Sequence, residues 1–536
     1  MIESDTFASD NLPAPELQPE FIFELPELQY PARLNCVAEL LDHAARGERA
    51  NAVSLIGAGI SWSYRELLQE VDRIAHVLRD DLRLVPGNRV LLRGANCPRL
   101  AACWLAVVKA GCIAVPTMPL LRARELAQII DKARVDAALC ASELQDELEQ
   151  VRPDCPSLRD VVYFGGGGQA SLEARMADKP AVFPAANTSA DDVCLIAFTS
   201  GTTGTPKGTM HVHRDMLAIC DCFPRSVLRT RAQDVFIGTP PLAFTFGLGG
   251  LLLFPLRVGA ATVLLERHTP ESLLQAMQDY RATICFTAPT FYRQMAGQVA
   301  AHDLSSLRES VSAGEALPID TRDRWRSATG LEMIDGIGTT EMLHIFIAST
   351  GADARPGATG KPVPGYHACV LDAAGQPAPV GVVGRLAVKG PTGCRYLADR
   401  RQSEHVLDGW NLTGDAYEMD ADGYFWPRGR IDDMIVSAGY NIAAPEVENA
   451  LLEHAAVAEC AVVGVPDDER GQVVKAFVVI RDGSEVGAAL ASELQAFVKR
   501  TIAPYKYPRL IEFCDVLPRT ETGKLQRFRL RLATAS

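Results

Sequence analysis

The chain as a whole lacks a positive excess: 53 Lys and Arg stand against 66 Asp and Glu, a formal net charge of −13. That balance excludes a general binder of nucleic acid or of anionic membranes, so any anion it takes needs a local site. A disulfide framework is also missing. The 14 cysteines are scattered from Cys36 to Cys514 with one close pair, Cys220 and Cys222, and no second pair or nearby histidine cluster completes a zinc set. Free thiols in a reducing compartment are expected. No long apolar run goes unbroken, because the most apolar window, Leu100 to Leu121, holds Lys109, Gly111, Pro116 and Pro119. It reads as a helix passing into a strand, not a membrane span. Residues Met1 to Asp10 carry acids where a secretory leader would carry Lys or Arg, so no export signal and a cytoplasmic location are expected. No fixed-period repeat is visible, nor any low-complexity tract beyond Gly165–Gly168.

What the chain does have is length: 536 residues, 48% hydrophobic and 22% charged, enough for two or more cores. Residues 1–30 hold four prolines and no clear period, and read as a mobile or surface-draped extension. Ser63 and Glu66 form a capping-box pattern ahead of Leu67, Val71, Ile74 and Leu78, which predicts a helix. Apolar runs at 89–92, 113–115, 137–140, 161–163, 193–198, 235–237, 261–265 and 283–287 alternate with helical stretches, as in βαβ units around mostly parallel sheets. Between about 356 and 430 short strands punctuated by Gly and Pro suggest a small barrel. A new α+β unit follows, with a helix from Pro445 to His454 and strands at 460–465 and 476–480. The fold expected is α/β: a large N-terminal domain (31–431) of βαβ-type subdomains plus a β-barrel-like subdomain, then a small, mobile α+β domain (432–536). No flexible linker marks residue 431, so motion there would be a hinge of one or two residues.

The most informative segment is Thr199-Ser-Gly-Thr-Thr-Gly-Thr-Pro-Lys-Gly208, directly after a strand. Its glycines let backbone N–H groups turn towards a phosphate, Thr199, Ser200, Thr202 and Thr203 offer hydroxyls, and Lys207 adds a charge. Pro206 stands where a P-loop needs glycine, which disfavours that class. Taken alone, the segment could also be a flexible surface loop.

This run resembles the signature loop of the adenylate-forming superfamily that includes the acyl-CoA synthetases. In the same order come Ser312–Pro318, Asp335–Glu341, Thr413–Asp415, Gly429–Asp432, Ser437–Asn441 and Pro518–Lys524, so the resemblance spans about residues 35–530. Asp335–Glu341 running into Met342–Phe346 looks like the benzoate-CoA ligase branch, and the wording at 34–41 and 208–215 is most similar to 2-aminobenzoate-CoA ligases. The resemblance implies that the loop Thr199, Ser200, Gly201, Thr202, Thr203, Gly204 with Lys207 holds ATP phosphates. Thr340 would bind the α-phosphate and Glu341 would ligate Mg²⁺. Gly314, Glu315 and Ala316 would face the adenine from one side, and Asp335, Gly336 and Ile337 from the other. Ile337 departs from the aromatic ring that many members place there. Asp415, assisted by Arg430, would bind the ribose hydroxyls. Lys524 would bridge the substrate carboxylate and the α-phosphate, Asp432 would be the hinge, and Ser437, Ala438 and Gly439 would line the path of coenzyme A. Read singly, Glu341 could be a helix-start acid, Asp415 and Arg430 a turn residue and a surface ion pair, and Lys524 an exposed turn lysine.

By the same resemblance Phe244, Thr245, Phe246 and Gly247, with Gly338 and His344, form the acid pocket. Flat aromatic walls without a charge suit an aryl ring, while His344 could equally be a core histidine satisfied by backbone. The expected activity is an ATP-dependent, Mg²⁺-using ligase that converts 2-aminobenzoate or a related benzoate to its coenzyme A thioester through an aryl-adenylate. The alternatives are a benzoate or hydroxybenzoate ligase, or a stand-alone enzyme loading a carrier protein. The partners expected are the aryl acid, ATP and coenzyme A, with no nucleic acid or membrane, in a monomer or homodimer.

Overall fold

The computed structural model describes residues 4–199, 206–315, 317–349, 351–433, 435–437, 440–467, 470–481, 486–502, 504–519 and 525–534. It divides into two compact units. The first comprises Met1–Ala368 with Val388–Asn411, and the second Cys369–Ala387 with Leu412–Ser536.

The first unit contains two large sheets. One has six strands in the order Asp160–Phe164, Ala137–Ala141, Arg89–Arg93, Ile113–Thr117, Val193–Thr199, Lys207–Val212, all parallel except the last. The other has nine, of which Met333–Gly338, Glu309–Ala313, Ile284–Thr287, Val235–Gly238, Ala261–Val263 and Val53–Gly57 are parallel neighbours. The central strands Arg89–Arg93, Ile113–Thr117 and Ala137–Ala141 are buried at every position, as parallel strands covered on both faces must be. Arg93 is 1% exposed and donates to the carbonyls of Met118, Pro119 and Leu121 at 2.8 Å, so its charge stands in for the end of a broken ladder.

The helix expected after Ser63 runs Tyr64–His76 with the reciprocal capping box in place, and Leu67, Val71, Ile74 and Leu78 are buried. The apolar window resolves into helix Pro98–Lys109 and strand Ile113–Thr117. Among the described residues no helix is long and apolar enough to cross a membrane. The N-terminal extension is draped over the surface but anchored, not mobile. Asp5 pairs with Arg89 at 2.7 Å, the Phe7 ring lies under Arg89 and Arg134, and Phe21 lies 4.0 Å beneath Arg395.

In the second unit, residues 415–419 of strand Trp410–Met419 pair with Phe425–Arg430, placing Asp415 opposite Arg430. A five-stranded sheet follows, in which Gly471–Ile480 is flanked by Val457–Asp467, Ile435–Ser437 and Leu510–Phe513. Helices Ala444–Leu452 and Ala488–Thr501 close its core over Ile435, Val447, Val462, Ala476, Leu494 and Val498. The helix expected at 445–454 is therefore present two residues shorter at its end.

Lys109 is fully buried and bonds Asp42 at 2.9 Å and Asp72 at 2.6 Å, tying the ends of two helices to a third segment. Removing the cation leaves buried Asp72 without its charge partner and Asp42 with only the exposed Arg46, 2.9 Å away, so Lys109→Met is expected to destabilise the first unit by about 3–5 kcal/mol. Urea unfolding checks this; adding Asp42→Asn and Asp72→Asn to that variant should recover most of the loss, and a loss below about 1 kcal/mol would refute the role.

Candidate active site

Strands Val193–Thr199 and Lys207–Val212 pair with Thr199 opposite Lys207, so both predicted residues stand at the end of the hairpin where its two strands are joined. Ser200, Gly201, Thr202, Thr203 and Gly204 lie outside the described residues. The Lys207 ammonium has only protons to offer, so it donates to His405 Nε2 at 3.0 Å, and it lies 5.0 Å over the Tyr396 ring. The Tyr396 hydroxyl donates to Glu341 Oε1 at 2.5 Å. Burial would push the Glu341 carboxyl up, but the Tyr396 hydrogen bond and the pull of His405 and Lys207 hold it below the usual carboxylate range. Tyr396 responds in the opposite direction, its phenol pushed far up by burial and the Glu341 charge. A half-buried carboxylate kept ionised this way has the hard oxygen donors that a magnesium ion takes.

Glu341 sits in the turn joining Met333–Gly338 to Ile345–Ala348. There Thr339 Oγ1 accepts from Met342 N–H at 3.2 Å, and Leu343 adopts φ +68° so that its N–H reaches the Thr340 carbonyl at 3.1 Å. The same carbonyl accepts from His211 Nε2–H at 2.8 Å. Strands Glu309–Ala313 and Met333–Gly338 run parallel with Ser312 beside Asp335 and Ala313 beside Gly336. Gly314 and Glu315 therefore leave the sheet next to Ile337, at the carboxyl ends of parallel strands where ligands bind in α/β sheets. Gly314 turns there at φ +91°, and Glu315 accepts from Thr290 at 3.3 Å. Burial pushes the Asp335 carboxyl up to about 7. Ala316 lies outside the described residues.

Phe244 caps the short helix Thr245–Leu248, and Asn96 pins its approach by bonding Leu242 N–H at 2.8 Å and the Pro240 carbonyl at 2.9 Å. Gly247 packs against the Pro241 carbonyl and Gly338 against that of His344. His344, 3% exposed, is ringed by Phe254 (4.5 Å), Phe246 (5.6 Å), Phe223 (5.8 Å) and Phe286 (6.3 Å). Burial pulls its imidazole down to about 3, so it is neutral. Its Nε2–H points at the Phe246 carbonyl across 3.4 Å, and Nδ1 has no hydrogen-bond partner among the described residues. The aromatic wall is thus deeper than the sequence suggested, since Phe223, Phe254, Phe286 and Gly249 belong to it.

In the second unit Arg430 donates to Asp415 Oδ1 at 3.0 Å and to the Thr413 carbonyl at 2.9 Å. Asp432 falls in the single turn Ile431–Asp433, and Ser437 is buried at the end of strand Ile435–Ser437. Ala438, Gly439 and Lys524 lie outside the described residues. The segment around Lys524 is bracketed by a bridge between Arg519 and Leu525 and by Gln526 N–H donating to the Pro518 carbonyl at 2.8 Å.

Sequence reasoning passed over Tyr396, His405, His211 and Arg395. Strand alternation was the one signal available for His211, because positions 207 and 211 share a face. It also missed that Cys36, Cys194 and His213 bring three ligand atoms within 4.8 Å of one another. His213 Nδ1 already accepts the Cys36 amide at 3.2 Å, so this trio is satisfied as core packing.

The model of the AMP-binding enzyme family matches residues 41–396, and that of the AMP-binding enzyme C-terminal domain residues 446–524. The chain is 37% identical to a benzoate–CoA ligase of Thauera aromatica over 514 residues, covering 95% of this chain and 98% of that one. The solved structure of the anthranilate CoA ligase AuaEII in complex with anthranoyl-AMP superposes with a TM-score of 0.89 at 35% identity, over 95% of this chain and 99% of that one. A benzoate CoA ligase from Burkholderia xenovorans LB400 superposes at 0.84 and 33%, over 93% and 100%.

A Cβ on Gly249 would lie 2.4 Å from His344 Cδ2 and 3.1 Å from the Phe254 ring. Gly249→Ala must therefore displace the imidazole, and the overpacking is expected to destabilise the first unit by about 1–3 kcal/mol. Thermal unfolding checks it; an unchanged midpoint would mean that His344 is loosely held.

Proposed function

The chain belongs to the AMP-binding enzyme family and is an AMP-forming acid–thiol ligase, and from that premise we propose that its acid substrate is 2-aminobenzoate or a closely related benzoate. The observation that carries this reading is the neutral His344 inside a cage of phenylalanines. The cage takes a flat apolar ring, and nothing charged among the described residues of the wall would pair with an ionised ring substituent. The unpartnered Nδ1 is a hydrogen-bond acceptor. An ortho amino group is the donor that matches it, which favours 2-aminobenzoate over unsubstituted benzoate. The likeness to an anthranilate ligase supports the same choice.

In the proposed reaction a carboxylate oxygen attacks the α-phosphorus of ATP and pyrophosphate leaves. The thiol of coenzyme A then attacks the acyl carbon, and AMP leaves as the thioester forms. The 199–204 loop and Lys207 would hold phosphates, with Thr340 at the α-phosphate. Glu341 would hold Mg²⁺, which when bound offsets phosphate charge. Gly314, Glu315, Ala316, Asp335, Gly336 and Ile337 would enclose the adenine. Asp415, with one oxygen fixed by Arg430, would accept the ribose hydroxyls. Lys524 would place a cation between two anions that must meet in line. A lid of residues 432–536 turning at Asp432 would then present Ser437–Gly439 to coenzyme A. Fourteen cysteines with no disulfide among them and the need for ATP and coenzyme A suit a cytoplasmic setting.

AMP release with ATP, Mg²⁺ and coenzyme A, compared as kcat/KM over aryl and fatty acids, tests the reading. The expected peak is at 2-aminobenzoate. A peak at benzoate or a hydroxybenzoate would discard that substrate but keep the aryl pocket, and turnover of fatty acids alone would overturn both. Lys524→Ala is expected to abolish adenylate formation while sparing thioester formation from preformed aryl-adenylate; equal loss in both steps would remove its proposed role. Tyr396→Phe deletes the donor that keeps Glu341 ionised. Its carboxyl should protonate at higher pH than in the wild type, so the acid limb of the pyrophosphate-exchange pH profile should move upward. An unmoved limb would show that Glu341 does not govern it.

A further inference from the structure

His211 is fully buried on strand Lys207–Val212, four residues from Lys207 and on the same face. A leucine would fill such a position without desolvating a polar ring, so the histidine needs a reason. Its Nε2–H donates to the Thr340 carbonyl at 2.8 Å. Its Nδ1 stands 3.5 Å from Asp215 Oδ2. That same oxygen accepts the Val212 N–H at 3.1 Å and the Arg395 guanidinium at 2.8 Å, while the Arg395 carbonyl accepts the Met210 N–H at 2.7 Å. Asp215 is fully buried and Arg395 6% exposed. Arg395 and the Val212 amide thus satisfy one Asp215 oxygen, while His211 Nδ1 and Asp215 Oδ1 make no hydrogen bond among the described residues; the one hydrogen bond of the imidazole runs, away from solvent, from the strand of Lys207 to a backbone carbonyl of the turn that carries Glu341.

That carbonyl is gripped from two sides, by His211 and by the Leu343 amide. Two donors on one carbonyl fix the orientation of the Thr340–Glu341 peptide plane, and with it the starting direction of both side chains. We propose that His211 is a positioning residue: it holds the Thr340–Glu341 peptide in register with the strand of Lys207, so that the groups facing the nucleotide phosphates keep a fixed spacing. This rests on the reading of Thr340, Glu341 and Lys207 as phosphate and metal contacts.

The test separates reach from bulk. In His211→Gln the amide nitrogen extends to about where Nε2 stands, whereas in His211→Asn it stops near the position of Nδ1, and His211→Leu has no donor. Two quantities are measured: kcat and KM for ATP in pyrophosphate exchange with 2-aminobenzoate, and the affinity for ATP with Mg²⁺ in the absence of acid, by titration calorimetry. The Leu and Asn variants are expected to lose about 100-fold in exchange kcat and about tenfold in ATP affinity. The Gln variant should stay within about threefold of wild type in both, since it keeps the donor. A merely structural role would instead impair Gln and Asn alike, in line with their thermal midpoints, and that result would overturn the proposal, as would wild-type behaviour of the Leu variant. If the wild type shows no exchange with any aryl acid, the substrate reading fails, and the ATP affinities still decide the role of His211.

Discussion

A carboxylate buried far enough to be shielded from water loses its charge unless the protein supplies a donor and a positive field in return. At Glu341 both come from residues distant in sequence. The donor is the Tyr396 hydroxyl, and the field is that of Lys207, whose ammonium rests over the same tyrosine ring. The tyrosine therefore does two things at once: its edge donates to the acid and its face attracts the base. Without it, an acid and a lysine on different sheets would have no common reference. The other side of the same turn is fixed by the positive φ at Leu343 and by the His211 hydrogen bond to the Thr340 carbonyl.

The fold makes this arrangement affordable because its strands end where the polar groups are wanted. Six parallel strands of the larger sheet run in one direction, and the turns after Ala313 and Gly338 leave at their carboxyl ends. In the six-stranded sheet the central strands are buried throughout, and charges there are closed off locally, Arg93 by three carbonyls and Lys109 behind it by two carboxylates. Charge in the first unit is thus of two kinds. Some is neutralised on the spot for stability, and some is held ionised at the ends of strands.

Local features of the chain were legible in the sequence, and cross-chain ones were not. The capping box at Ser63, the helix-to-strand passage near Lys109 and the alternating runs rest on contacts within a few residues, and each appears where it was expected. The family motifs located Glu341, Lys207, Asp415 and Arg430, and the last two do meet. Tyr396 carries no such mark. It reaches Glu341 across 55 positions, and His405 meets Lys207 across 198; no periodicity links residues that far apart. The N-terminal extension, expected as mobile or surface-draped, is draped, and what holds it was hidden for the same reason: Phe7 packs under Arg89 and Arg134, and Phe21 under Arg395.

The same limit explains the aromatic cage. Phe246 and His344 could be named from their motifs, but Phe254 and Phe286 read as ordinary core residues of a helix and a strand, and in part they are. Phe286 packs on Phe236 inside the sheet as well as on Phe246 and His344. A pocket wall that is also core cannot move freely, because interiors are packed to the density of crystals. On the proposed reading of these rings as the wall of the acid pocket, His344 Nδ1 would weigh heavily, since a buried acceptor with no protein donor loses most when the ligand offers none. On that reading, selectivity among benzoates would be a property of the core, set by how firmly Gly249 and the surrounding rings hold one imidazole.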